Sequence, residues 1–158
     1  MSACYNLNQI YNILAYYNLS TTLIFSARFE NLEKICDFVD EIAKQAGFDE
    51  MARYSIKTAV DEACSNIIDH AYGGEGRGDI ECTCKTTGDA IKVILQDHGQ
   101  SFDPAMVPEP DLSSPIESRK ERGLGLYFMR KLMDEIHFDF SDESGNVLTM
   151  VKHREKQT

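Results

Sequence analysis

The chain has 158 residues, 42% of them hydrophobic and 27% charged, with a net charge of -10 and a pI near 4.8. That length fits one domain with a real core. The acidic balance excludes general nucleic-acid or anionic-membrane binding, although helix N-termini and glycine amides can still hold an anionic ligand locally. No uninterrupted apolar run is long enough for a transmembrane helix, and the first residues lack the basic start of a signal peptide. Five cysteines without a CxxC pair read as small apolar residues of a reduced, cytoplasmic protein, not as a disulfide framework or a zinc site.

Residues 1–20 are rich in Tyr and Asn, with a partial helical stripe through Ile10, Ile13, Leu14 and Tyr17. They read as an extension of unknown role, and residues 21–158 as the domain. Thr22 to Phe29 alternates as a strand. Asn31 then stands as an N-cap before a helical stripe of Leu32, Ile35, Phe38, Val39, Ile42, Ala43 and Ala46, which Gly47 ends. Asp49 caps a longer helix running to Tyr72, with Ile56, Val60, Ala63, Cys64, Ile67 and Ala71 on its apolar face. On a neighbouring face, Glu62 and Asn66 stand four apart, one turn above the other. An amide oxygen there can ligate a hard cation, and a carboxylate beside it can orient or deprotonate a nucleophile. Taken alone, the pair is more simply a solvated helix face.

The glycine-rich run Gly73 to Gly78 reads as a mobile connector. Ile80 to Thr86 and Ala90 to Gln96 form a hairpin about Thr87-Gly88-Asp89. Asp97-x-Gly99 follows: an acid at the end of a buried strand can accept from an exocyclic amine, and a glycine lets a flat ring approach. Met106 to Arg122 lacks periodicity, holds three of the four prolines, and reads as a lid. Gly123-Leu124-Gly125 opens a helix through Leu126, Met129, Leu132 and Met133, and glycines feeding a helix N-terminus can cradle phosphate. Ile136 to Phe140 and Val147 to Lys152 form a last hairpin.

VDEACSNIIDHAY, DHGQSFDP and ERGLGLYFMRKLMDE, in that order, resemble the GHKL ATPase superfamily of gyrase, histidine kinases and a large heat-shock chaperone. The likeness spans about residues 22–153 and is greatest to the bacterial anti-sigma-factor serine kinases. It implies a two-layer α/β (α+β) sandwich of the Bergerat type, with helices on one face of a mixed, mostly antiparallel sheet. It implies ATP and Mg²⁺ as cofactors, with Asn66 as metal ligand and Glu62 as the catalytic base or orienter. Asp97 would receive the adenine amine above Gly99. Gly123, Leu124 and Gly125 would cradle the phosphates, Thr149 would assist adenine binding, and Arg119 and Arg122 would reach the γ-phosphate. The function implied is a protein serine/threonine kinase and anti-sigma-type regulator that phosphorylates a small antagonist protein, sequesters a sigma factor or other regulator, and is commonly a homodimer. The alternative is a non-catalytic, ATP-gated binding switch. No histidine-phosphorylation helix precedes the domain, which argues against a complete sensor kinase.

Overall fold

The computed structural model describes residues 19–101, 103–113, 124–141 and 143–155. Five strands form one sheet in the order β1-β2-β3-β5-β4: β1 (Leu19–Ser26), β2 (Asp79–Thr87), β3 (Ala90–Asp97), β4 (Glu135–Ser141) and β5 (Gly145–His153). Three helices pack on it: α1 (Leu32–Gln45), α2 (Glu50–Asn66) and α3 (Leu124–Leu132). The two-layer sandwich is as expected. The sheet itself is wholly antiparallel among its described pairings, not mixed.

The pleat decides which residues meet the helices. Ile80, Cys82 and Cys84 of β2, Ile91, Val93 and Leu95 of β3, and Leu148 and Met150 of β5 join the core, with Val39 of α1, Val60 and Cys64 of α2, and Met129 of α3. Each large side chain buried there contributes roughly 1.5–3 kcal/mol. The four described cysteines are buried and free. Burial pushes the Cys36 thiol up to about 11 and Cys64 also upward. These thiols act as packing groups, not nucleophiles.

Local capping follows the sequence in some places and departs from it in others. Asp49 caps α2 by accepting the Ala52 amide at 2.8 Å. Gly47 takes φ +81° after α1, a region that side chains disfavour. Asn31 does not cap α1. A 3₁₀ turn (Phe29–Asn31) leads in instead, and the Asn31 amide donates back to the Ser26 carbonyl at 2.9 Å. Strand β1 starts at Leu19, earlier than its alternation suggests, because Leu19 to Thr21 still pair with Thr86 to Cys84. The glycine-rich run is tied down: Glu75 accepts the Phe29 amide at 2.7 Å, and the Gly76 amide reaches the Ala27 carbonyl at 2.8 Å. Arg53 of α2 forks onto Asp40 of α1 through two bonds of 2.8 Å, which fixes how the two helices sit together. No described helix is long and apolar enough to cross a membrane.

Candidate nucleotide site

Helix α2 carries Glu62 and Asn66 on one face, each half-buried. The first turn of α3 lies against them. A β-carbon on Gly125 would stand 2.6 Å from Glu62 Oε2 and 3.4 Å from Asn66 Nδ2. A side chain at position 125 would push the Glu62 carboxylate aside, so Gly125 lets the helix approach both groups closely. The α3 N-terminus also brings unpaired amides and a favourable dipole for negative charge. Among the described residues no group of three or more His, Cys, Asp or Glu could hold a metal by itself. Asn66 is a single hard oxygen donor, which suits an ion that takes its other ligands from phosphate and water. The residues therefore fit Mg²⁺ arriving with a nucleotide, and they do not fit a resident metal.

After Asn66 the helix widens into a π-turn (Ile67–Ala71), a feature frequent at functional sites. Its end meets the loop after β3. The Gln100 amide donates to the Ala71 carbonyl at 2.7 Å. Asp97 ends β3 and is 4% exposed. Its Oδ1 accepts the Gly99 amide at 2.8 Å and the Asn146 side-chain amide at 2.8 Å. Asn146 also donates to the Gly99 carbonyl at 3.1 Å and accepts from the Ser101 hydroxyl at 2.5 Å. Among the described residues no hydrogen bond reaches Asp97 Oδ2. A buried carboxylate with one oxygen committed and the other open is suited to receive a single amine.

The histidine kinase-like ATPase domain family matches residues 25–152. The chain belongs to that family. Its relatives include a serine-protein kinase, RsbW, of Halalkalibacterium halodurans, 40% identical over 118 residues that cover 72% of this chain and 70% of that protein. A Bacillus cereus protein of the same name is 36% identical over 120 residues, covering 73% of each. The chain stands with them in the serine-protein kinase branch of the family. Solved structures share the fold. A crystal structure of the RsbU and RsbW domains of a Mycobacterium tuberculosis protein superposes with a TM-score of 0.61 at 17% identity, covering 85% of this chain and 32% of that one. The catalytic domain of the histidine kinase ThkA gives 0.50 at 18% identity, covering 85% and 98%.

In this ATPase domain the structure brings together Glu62, Asn66 and Gly125 at one end and Asp97 and Gly99 at the other. Leu124 opens α3 beside Gly125. Gly123, Arg119 and Arg122 lie outside the described residues. Thr149 is not brought to the site. It pairs with Ile94 and His137, and it points to the sheet face opposite Asp97, whose partner in register is Asn146. Asn146 is thus the β5 residue that touches the base-end carboxylate, and the sequence reading missed it. The signal was its place one residue after the Gly145 turn, where Asn reads as turn chemistry. Gly99 also meets a steric demand that the sequence does not show. Where its β-carbon would be, the Ala71 carbonyl group already stands, at 2.5 Å. Gly99→Ala is expected to destabilise the fold by about 1–3 kcal/mol, read as a lower urea midpoint; an unchanged midpoint would show that the loop can move off the π-turn. Two cavities among the described residues do not contain these groups. One of about 220 Å³ sits between Val107–Pro110 and α3, and a larger groove runs past Asp49 and Met51 at the far end of α2.

Proposed function

We propose that this chain is an Mg-ATP-dependent protein serine/threonine kinase that phosphorylates a small antagonist protein and sequesters a sigma factor or other regulator. The observation that carries this reading is the packing of Glu62 and Asn66 against Gly125 in the first turn of α3. It sets a proton acceptor, a cation ligand and free backbone amides around one point. Phosphoryl transfer asks for that kind of positioning and charge neutralisation more than for covalent chemistry.

The reaction moves the γ-phosphoryl group of ATP to a serine or threonine hydroxyl of the partner and leaves ADP. When bound, Mg²⁺ neutralises phosphate charge. Asn66 supplies its protein ligand. Glu62 receives or orients the proton of the acceptor hydroxyl. Gly125, with Leu124 and Gly123, offers backbone amides to the phosphates, and Arg119 and Arg122 remain candidates for the γ-phosphate. Asp97 receives the adenine amine on Oδ2 while Asn146 holds Oδ1. The names of the curated relatives support the serine-kinase reading. A cytoplasmic homodimer that binds its regulator and its antagonist in turn is part of the same proposal.

Titration with ATP, with and without Mg²⁺ and with GTP as control, tests the nucleotide site. Selective Mg-dependent ATP binding is expected, and no binding at millimolar ATP would overturn the reading. Binding without phosphate transfer to any partner would select the ATP-gated switch instead. Asp97→Asn puts an amide where the purine amine needs an acceptor. It is expected to weaken ATP by roughly tenfold, the scale of a hydrogen bond to a charged group. The preference for ATP over GTP should shrink with it; an unchanged preference would remove Asp97 from base recognition.

A further inference from the structure

Tyr72 stands between the two ends of the site. The π-turn positions it: its amide bonds back five residues to the Ile67 carbonyl at 2.9 Å. Its ring fills the space beside Gly78, where a β-carbon would come within 2.2 Å of it. The phenol is committed in two directions. It donates to the Asp79 carbonyl at 2.7 Å and accepts the His98 amide at 3.0 Å. That amide belongs to the peptide joining Asp97 to His98, so the hydroxyl grips the backbone directly after the base-end carboxylate. One residue earlier in the chain, the Ala71 carbonyl holds Gln100 from the other side.

We propose that Tyr72 is a positioning residue for base recognition. Its hydroxyl fixes the Asp97–His98 peptide and so aims the free Oδ2 of Asp97. Because Tyr72 closes the helix that carries Asn66, the π-turn also sets the span between the base end and the phosphate end. The proposal rests on the nucleotide reading above and adds to it the residue that ties Asp97 to α2. A tyrosine that only packed would act through its ring. The geometry here puts the effect in the hydroxyl, which bonds the Asp79 carbonyl and the His98 amide.

Tyr72→Phe keeps the ring and removes the hydroxyl. The test compares ATP with inosine triphosphate, which has a carbonyl where adenine has its amine. Binding of each is measured with Mg²⁺ in both proteins, together with the melting temperature. ATP affinity is expected to fall roughly five- to tenfold, as for one lost hydrogen bond. Inosine triphosphate should stay within about twofold, with the protein still folded. Equal weakening of both nucleotides, unchanged ATP affinity, or loss of the fold would each overturn the positioning role. A wild-type protein that does not prefer ATP over inosine triphosphate would instead overturn base recognition by Asp97, and the Tyr72 proposal with it.

Discussion

Asn66→Ala is expected to lower Mg-ATP affinity by about 100-fold or more and to erase the difference between titrations with Mg²⁺ and with EDTA. Even the outer partners of a metal site are typically worth 10–100-fold, and Asn66 is proposed to touch the ion itself. Among the described residues no cluster of three or more acids, histidines or cysteines offers the ion a second site. Asn66→Asp keeps an oxygen in place and should retain Mg dependence. Since Asn66 is half-buried and makes no cap bond, the alanine variant should stay folded. Isothermal titration reads the result. Unchanged Mg dependence in Asn66→Ala would remove it from the metal site.

Glu62→Gln separates binding from chemistry. Glutamine keeps the shape that lies against Gly125 but cannot accept a proton as a carboxylate does. ATP binding should survive within about threefold, while phosphate transfer falls by about 10²–10⁴, the usual range for a lost general base. A single-turnover assay with labelled ATP and the purified antagonist protein measures both steps. Full transfer activity in this variant would reject Glu62 as base or orienter. Loss of ATP binding would point to a ground-state role at the phosphate end.

Much of the fold was legible because it is written locally. The α1 stripe, the Asp49 cap, the Gly47 stop and the alternation of Ile80, Cys82 and Cys84 each depend on neighbours within a few residues. The pairing of Glu62 with Asn66 was legible for the same reason, since they share a helix face by spacing alone. At the other end Asp97 was legible from its place at the end of a buried strand, but its β5 partner was not. Choosing between Thr149 and Asn146 required the pleat of β5, and Val147, Leu148, Met150 and Val151 are apolar on both faces, so the pattern shows no parity. The β1 start at Leu19 depended on pairing with a strand some sixty residues away, and the tether of the glycine run depended on Glu75 meeting Phe29. The contact of Gly99 with Ala71 was not legible, because Ala71 belongs to a π-turn that no periodicity announces.

The Asp97–Asn146 contact also bears on how the molecule matures. Strands β2 and β3 join through a tight hairpin, but β5 must come back past α3 and β4 to lie against β3, much as β1 meets β2 only across α1 and α2. Long-range pairing of this kind closes late, because loop entropy is lost before the contact is made. The Asp97–Asn146 contact therefore forms only after the C-terminal hairpin has docked. A chain nicked before that hairpin would lose the Asn146 bond to Asp97 Oδ1 and, on the function proposed above, its choice between ATP and GTP.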